Sequence, residues 1–323
     1  MMSEPPRNRP SGAWLRSRVA VPVAACLCAL AAAASGSEPT PNGFDLANSL
    51  VPVEEIVRGG PERDAIPALD SPPFVAAAES PWRDDAWVVG VGRGSDARAY
   101  PLAILIWHEL VNDRLGGRPV LVSYCPLCGT ALVFDRRVGG SERRFGISGL
   151  LYQSDLLMFD RESESLWSQI SAHSISGPAR ANRLTLVRSR LVRWVDWKRA
   201  HPETTVLSLE TGHVRPYGQT PYEGYATSER LAFPVPRDPR YHPKMRTLGL
   251  RMADGRARGY PLVEVRRAGG LVAESPFGKP VTIRLDPESQ AFEVDAPEPI
   301  EVIDGFWFAW AAFHPDASVY VAE

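Results

Sequence analysis

Two cysteines separated by two residues are the side chains of this sequence best suited to chemistry. Cys125 and Cys128 belong to the stretch Tyr-Cys-Pro-Leu-Cys-Gly-Thr that begins at Tyr124, and the chain's other two cysteines, Cys26 and Cys28, lie near its N-terminus. A Cys-x-x-Cys pair places two thiols on one side of a turn. There they can bind a metal, cycle between dithiol and disulfide, or form a structural disulfide.

A metal site would need more donors than this pair, because two thiolates are half of a tetrahedral ligand set. We predict His108 as the third ligand, with Met158 or His173 as a further one. Zinc is the expected metal for thiolate and imidazole donors, whereas participation of Met158 would favour copper(I).

The elements around the cysteines follow from the apolar pattern. Pro119–Tyr124 predicts a buried strand that leads to the cysteines, and Ala131–Phe134 predicts a second strand after them. A helix is predicted from Leu102 to about Arg114. In such a helix His108 and Asn112 are one turn apart and share a face, so Asn112 would orient the histidine from behind.

A later segment, Phe145–Gln169, mixes apolar runs typical of strands with polar residues that can point inward. Four of its polar side chains are candidates for lining a pocket or for satisfying strand ends: Ser154, Asp155, Ser168 and Gln169.

The second half of the chain repeats features of the first. Ala97–Leu102 is similar to Ala257–Leu262, and the pattern Trp-x-x-Trp-x-x-x-His-Pro begins at Trp194 and again at Trp307. The anchors keep the same order and internal spacing, which predicts an internal duplication with pseudo-twofold character.

The repeat also separates scaffold from candidate site. Cys125 corresponds to Asp286 and Cys128 to Ser289, so the thiols belong to the first copy alone. This pattern favours a site added to one half of a duplicated fold, and the alternative is that the second copy has only drifted.

Composition bounds the fold and excludes some partners. Of 323 residues, 44% are hydrophobic, 23% are charged and 30 are proline, and the net charge is -2. We expect an α+β, β-rich body of two pseudo-symmetric halves, with one helix near each Tyr-Pro-Leu and Trp anchor. There is no basic run interleaved with aromatics, no phosphate loop and no dinucleotide motif, so neither nucleic acid nor a nucleotide cofactor is expected.

The N-terminal residues predict export. Arginines precede an apolar stretch, Val19–Ala34, which is shorter than the ~20 residues of a membrane span and is followed by small residues. A lipid anchor at Cys26 and an uncleaved anchor are the alternatives, and all three place the body outside the cytoplasm, in the periplasm or secreted. The expected organisation is a signal peptide (1–36), a lead-in and ordered strap (37–86), a first repeat with the Cys-x-x-Cys site (87–211), a connector (212–246) and a second, degenerate repeat (247–323).

Several motifs are long enough to be diagnostic: Tyr100-Pro101-Leu102, Trp107-His108-Glu109, Val111-Asn112-Asp113, the cysteine stretch, Phe145–Gln169 and Phe306–Trp310. Together they resemble the bacterial and archaeal family called domain of unknown function 3179. The resemblance runs from about Ile56 to Val321 and implies an exported bacterial protein. It implies no activity, because the family has none assigned.

The sequence therefore leaves three functions open, and does not decide whether the protein is an enzyme. The first is an exported protein that binds zinc or copper through Cys125, Cys128 and His108. The second is a thiol-disulfide oxidoreductase that uses the cysteine pair. The third is a non-enzymatic scaffold with a structural disulfide, which would stabilise a chain of this size little, since a four-residue loop gains only about 2 kcal/mol.

Overall fold

The structure, a computed structural model, describes residues 40–323 and is built mainly of β-strands. Five sheets form a propeller-like arrangement with few helices. In this part of the chain no helix is long and apolar enough to span a membrane. The predicted signal peptide and Cys26 lie outside the described residues.

Sheets A and B carry the first anchor motif and the cysteines. The strands of sheet A are, in spatial order, Ser189–Arg193, Trp87–Val91, Arg98–Pro101, Thr205–Leu207 and Phe74–Ala76. The strands of sheet B are Thr185–Val187, Thr130–Asp135, Arg118–Cys125, Leu110–Leu115 and Leu69–Asp70. The strands predicted on both sides of the cysteines are thus confirmed.

Three further sheets complete the arrangement, and a short hairpin lies apart from them. The strands of sheet C are Ile56–Arg58, Phe145–Tyr152, Asp155–Asp160, Leu166–Ser168 and Ser174–Ser176. Those of sheet D are Glu301–Phe306, Arg246–Arg251, Ala257–Pro261 and Ser318–Val319, and those of sheet E are Leu271–Glu274, Val281–Leu285 and Phe292–Asp295. The separate hairpin pairs Arg137–Val138 with Ser141–Glu142.

The helices are short and stand at the predicted anchors. The α-helices are Leu102–His108, Trp194–Ala200, Leu262–Arg267 and Trp307–Phe313. The 3-10 turns are Pro41–Gly43, Val53–Glu55, Ala77–Glu79, Gly94–Asp96 and Tyr225–Thr227. Helices of two turns form no layer of their own, so the molecule is described better as a β-rich, propeller-like fold than as the expected α+β class.

The first helix is shorter than predicted. It ends at His108, because Glu109 has φ 56° and ψ −34°, which are not helical angles. The chain then enters the strand Leu110–Leu115, which pairs with the cysteine strand of sheet B. Asn112 lies in that strand, so the prediction that His108 and Asn112 share a helix face is wrong. Pairing between strands has overridden an apolar spacing that also fits a helix.

Sheets A and D share one pattern of connections. In each, the hairpin that carries Tyr-Pro-Leu is flanked by an antiparallel strand that leads into a Trp helix and by a parallel strand that follows it. The tyrosines make matching contacts: the Tyr100 hydroxyl donates to the Asp113 carboxylate at 2.7 Å, and the Tyr260 hydroxyl donates to Glu274. Sheets A and D therefore share this tyrosine contact.

Each Trp helix also packs an indole flat against a glycine of the neighbouring strand. A Cβ atom added at Gly90 would lie 2.3 Å from the ring of Trp197, and one added at Gly249 would lie 2.0 Å from the ring of Trp310. Only glycine leaves room for this approach, so both glycines are required by the packing of the helices.

Candidate metal centre

The cysteines occupy a tight turn between two strands of sheet B. The first strand ends at Cys125, whose register partner is Thr130. Gly129 adopts φ 61°, and a Cβ atom there would lie 2.9 Å from the ring of Phe306. The Phe306 amide donates to the Cys128 carbonyl oxygen at 2.8 Å. The end of sheet D therefore holds the turn in place.

Three buried side chains converge at this turn. One Sγ atom from each of Cys125 and Cys128 and one carboxylate oxygen of Asp155 all lie within 4.8 Å of one another. Their exposed fractions are 2%, 0% and 0%, and both cysteines are free thiols. Among the residues from 40 to 323 this is the only such group of three or more His, Cys, Asp or Glu side chains.

The hydrogen bonds around the group leave several acceptors unused. The Cys128 thiol donates to the Ser154 carbonyl oxygen at 3.3 Å, and the Ile170 amide donates to Asp155 Oδ2 at 3.0 Å. Within the described part of the chain, Asp155 Oδ1, Ser154 Oγ and Gln169 Oε1 are buried without a partner. A buried polar atom without a partner is costly, so the unpartnered oxygen of Asp155 favours a group that it can bind.

Burial disfavours negative charge at the group. It raises the pKa of Asp155 to about 7, and together with the neighbouring Cys125 and Asp155 it raises the pKa of the Cys128 thiol well above its usual range. Without a cation, burial therefore shifts Asp155 and Cys128 towards their protonated forms. A bound metal ion would reverse this preference, since it stabilises thiolate and carboxylate.

Glu109 is a nearby carboxyl group that the sequence did not identify. Its side chain is 8% exposed, and burial, followed by the charge of Asp155, raises its pKa to about 8. Its carbonyl oxygen accepts a hydrogen bond from the amide of Tyr124, the residue before Cys125. The only signal for it in the sequence was its place in the motif Trp107-His108-Glu109.

The segment between sheets A and D also contributes to the surroundings of the thiols. Burial raises the pKa of Tyr225 to about 12, with Cys128 adding to the effect, and burial lowers the pKa of Lys244 to about 8. Lys244 Nζ lies 3.7 Å from the centroid of the Tyr225 ring and donates to the Arg230 carbonyl oxygen at 2.8 Å. The segment interpreted as a connector therefore supplies side chains beside the cysteine turn.

His108 is not part of the group, although the sequence predicted it as the third ligand. Its Nδ1 lies 2.8 Å from the Pro67 carbonyl oxygen and its Nε2 lies 2.7 Å from the Tyr217 hydroxyl. Both ring nitrogens are thus already engaged. The side chain that completes a set of three donors is that of Asp155, which the sequence named only as a pocket residue.

The two further predicted ligands lie in different surroundings. His173 is outside the three-residue group, and its Nδ1 lies 2.9 Å from the Ser171 carbonyl oxygen. Met158 is fully buried in sheet C and packs in the same apolar cluster as both cysteines.

The remaining predicted polar residues have structural contacts. Asn112 donates to Asp70 Oδ1 at 2.8 Å and to the Phe145 carbonyl oxygen at 2.9 Å, so it joins sheets B and C rather than orienting His108. Ser168 accepts from the Ser171 amide at 3.4 Å. Gln169 is closer to the site, because its amide donates to the Thr130 carbonyl oxygen and the Ser123 hydroxyl of the cysteine sheet.

The fold and the site together define a β-rich, propeller-like protein with a buried Cys/Cys/Asp group. Over residues 63–297 the chain matches the family described as "Protein of unknown function (DUF3179)", and it belongs to that family. The resemblance seen in the motifs is therefore confirmed. No curated protein and no solved structure matches the chain.

Proposed function

We propose that this is an exported protein that binds a transition metal through Cys125, Cys128 and Asp155. The observation that carries the proposal is the convergence of three buried donor atoms within 4.8 Å, one of them on a carboxylate that has an oxygen without a partner in the described residues. Two thiolates and a carboxylate are zinc ligands, and a tetrahedral ion held by three of them keeps one open position. Export is supported by the leader-like sequence 1–36.

The corresponding turn of sheet E supports a bridging role for the metal. There Asp286 Oδ1 accepts hydrogen bonds from the Ser289 amide at 2.6 Å and from the Ser289 hydroxyl at 2.7 Å. Cys125 and Cys128 stand at the same positions of the first half. A metal bound to both sulfurs would close the cysteine turn as that aspartate closes its counterpart.

Zinc is the metal that this donor set favours. A carboxylate oxygen is a hard ligand, whereas copper(I) prefers sulfur and would draw on Met158 from the shared apolar cluster. A bound zinc ion would supply Lewis-acid chemistry at its open position. Glu109 is the buried carboxyl beside the site that is suited to hold or release a proton.

Titration of metal-free protein with Co²⁺, a spectroscopic substitute for zinc, tests the proposal. We expect thiolate-to-cobalt charge-transfer absorption that saturates at about one equivalent and disappears when zinc is added. The absorption should vanish in a Cys125→Ser/Cys128→Ser variant, change in Asp155→Asn and persist in His108→Ala. Absorption that requires His108 and ignores Asp155 would overturn the assignment of the third ligand.

A thiol-disulfide oxidoreductase is the second candidate, and one observation favours it. Two free sulfurs lie close together beside a carboxyl group that can accept a proton from a thiol. Burial weakens this reading, because a thiol of raised pKa is a poor nucleophile and a partner disulfide must reach a sulfur that is fully covered. Rapid, reversible oxidation of both thiols in the folded protein would favour this function over metal binding.

We also infer that sheets A and B and sheets D and E descend from one duplicated unit. The shared pattern of connections and the matching tyrosine contacts support this origin. On this view the cysteine site and sheet C were added to the first copy.

A further inference from the structure

A second place in the molecule has the features of a ligand site, and it does not involve the cysteines. A cavity of about 610 Å³ opens between sheets A, B, D and E, a volume typical of small-molecule pockets. Its apolar wall is formed by side chains from each of these sheets and from the helix Trp194–Ala200: Leu186, Leu191, Trp197, Leu248, Phe292 and Val302.

The polar lining of this cavity is mainly cationic. It contains four arginines and a histidine against two carboxylates: Arg93, Arg118, Arg188, Arg190, His201, Glu298 and Asp304. Two of these charges are neutralised locally, since Arg118 pairs with Asp135 at 2.9 Å and Asp304 pairs with Arg246. The remaining charges leave an excess of positive charge.

Among the described residues, the positive charges of three arginines in the cavity are balanced weakly or not at all by a carboxylate. The Arg93 guanidinium makes no hydrogen bond or ion pair among residues 40–323, where only the backbone carbonyl of Arg93 is bonded, to the Asp96 amide. Arg188 donates to a neutral acceptor, the Ala296 carbonyl oxygen. Arg190 pairs with Glu293 at 2.6 Å, but both side chains are solvent-exposed, and exposed pairs contribute little. Guanidinium groups of this kind bind carboxylates and phosphates in two-point contacts.

A histidine and an aspartate also line the cavity beside these arginines, and the aspartate adds a hydrogen-bond acceptor. His201 lines the cavity together with Arg93 and Arg190, and its pKa is lowered by burial and then by the charges of these two arginines. The imidazole itself stacks on Trp197, with ring centroids 4.0 Å apart. Asp304 Oδ1 is buried without a partner in the described residues, and it can accept a hydrogen bond from a ligand hydroxyl.

We propose that this cavity binds a small organic anion that carries at least one hydroxyl group. Arg93, Arg188 and Arg190 would bind its carboxylate or phosphate, and Asp304 would accept from its hydroxyl. The apolar wall would cover its carbon skeleton. This site is independent of the proposed metal centre.

Isothermal titration calorimetry with three probes of one skeleton tests the proposal. Gluconate carries a carboxylate, glucose 6-phosphate carries a phosphate, and glucose carries neither. We expect saturable one-to-one binding of at least one of the two anions and none of glucose. Comparison of the two anions then distinguishes a carboxylate site from a phosphate site.

Two variants with a matched control locate the binding. Arg93→Glu reverses a charge that has no partner in the described chain, and it should weaken anion binding at least tenfold without loss of folding. Arg190→Ala should weaken it as well. Arg256→Ala, which removes an exposed arginine that pairs with Asp254 and does not line the cavity, should have no effect.

The metal and anion proposals can fail separately. The Cys125→Ser/Cys128→Ser variant should bind the anion as the parent protein does. No binding of either anion at millimolar concentration would overturn the anion site and leave the metal proposal standing. The anion site would also be overturned if Arg93→Glu left anion binding unchanged, or if Arg256→Ala weakened anion binding as much as Arg93→Glu does.

Discussion

Asp155 is the side chain that turns a pair of cysteines into a set of three donors. We expect Asp155→Asn to lower zinc affinity at least tenfold, because a neutral amide oxygen is a weaker ligand than a carboxylate. Competition with a chromophoric chelator measures the affinity. The matched control is Asp160→Asn, the same change at a fully buried carboxyl group at the other end of the strand Asp155–Asp160, and it should keep the parent affinity. Equal losses in both variants would mean that Asp155 acts only through packing.

Glu109 gives the metal-free protein a pH dependence of known sign. Its pKa is about 8 in the folded protein and near the ordinary 4.5 when unfolded, so between these values only the folded state keeps the proton. Unfolding then releases a proton, and the free energy of unfolding falls as pH rises, by at most about 1.4 kcal/mol per pH unit.

Glu109→Gln removes this titration. We expect the stability difference between variant and parent to move in the variant's favour as pH rises from about 5 to about 8. Chemical denaturation in the presence of a chelator measures it. A difference that stays constant over this range would show that Glu109 is ionised in the folded protein.

The cysteine turn depends on a glycine whose surroundings leave no room for a side chain. Gly129→Ala meets both a left-handed backbone, φ 61°, and the ring of Phe306. We expect it to lower the free energy of unfolding by more than the ~1 kcal/mol of the backbone effect alone and to weaken zinc binding. Gly139 has φ 57° and open space around it, so Gly139→Ala should show the backbone effect only. Similar stability and zinc affinity in the two variants would contradict the role of Phe306.

Replacing the glycine that packs against each Trp helix should lower the stability of the protein by a similar amount at the two sites. Gly90→Ala and Gly249→Ala each place a methyl group inside the van der Waals radius of an indole, so each should destabilise the protein by about 3 kcal/mol. Gly218→Ala, at a site with open space, is the control. Thermal or chemical denaturation gives the values. A small effect at only one of the two sites would show that the halves pack differently.

Local sequence patterns predicted most of the strands and helices around the site. They did not predict where the first helix ends or that Asp155 lies beside the thiols. The hairpin of sheet A, the strand before Cys125 and the positions of the four helices follow from periodicity and breakers within a few residues. The end of the first helix at Glu109 depends on pairing with the cysteine strand. The approach of Asp155 to the thiols depends on contact between sheets C and B. Neither contact has a local signature, so His108 seemed the better ligand.

At the scale of the whole molecule, the site exists only when several sheets have assembled. Sheet B supplies the thiols, sheet C supplies Asp155, and sheet D holds the turn through Phe306. An unfolded chain would not keep these donors together, so the proposed metal binding would be linked to folding.

Zinc should therefore stabilise the entire fold. At a free concentration 100 times the dissociation constant, linkage gives about 2.7 kcal/mol, which corresponds to a rise of roughly 4–5 °C in thermal midpoint for a body of this size. Differential scanning calorimetry should show this rise for the parent protein and none for Cys125→Ser/Cys128→Ser. Magnesium, which avoids thiolates, should have no effect on either. An equal rise in the cysteine variant would place the stabilising zinc elsewhere.

The most direct measurement is elemental analysis combined with a free-thiol count on protein purified from its native compartment. The predicted result is about one zinc per chain, with two thiols that react only after a chelator has removed the metal. The metal should be lost in Cys125→Ser/Cys128→Ser and kept in His108→Ala. Protein that contains no metal, takes up none when reduced and carries a Cys125–Cys128 disulfide would contradict the proposed metal centre.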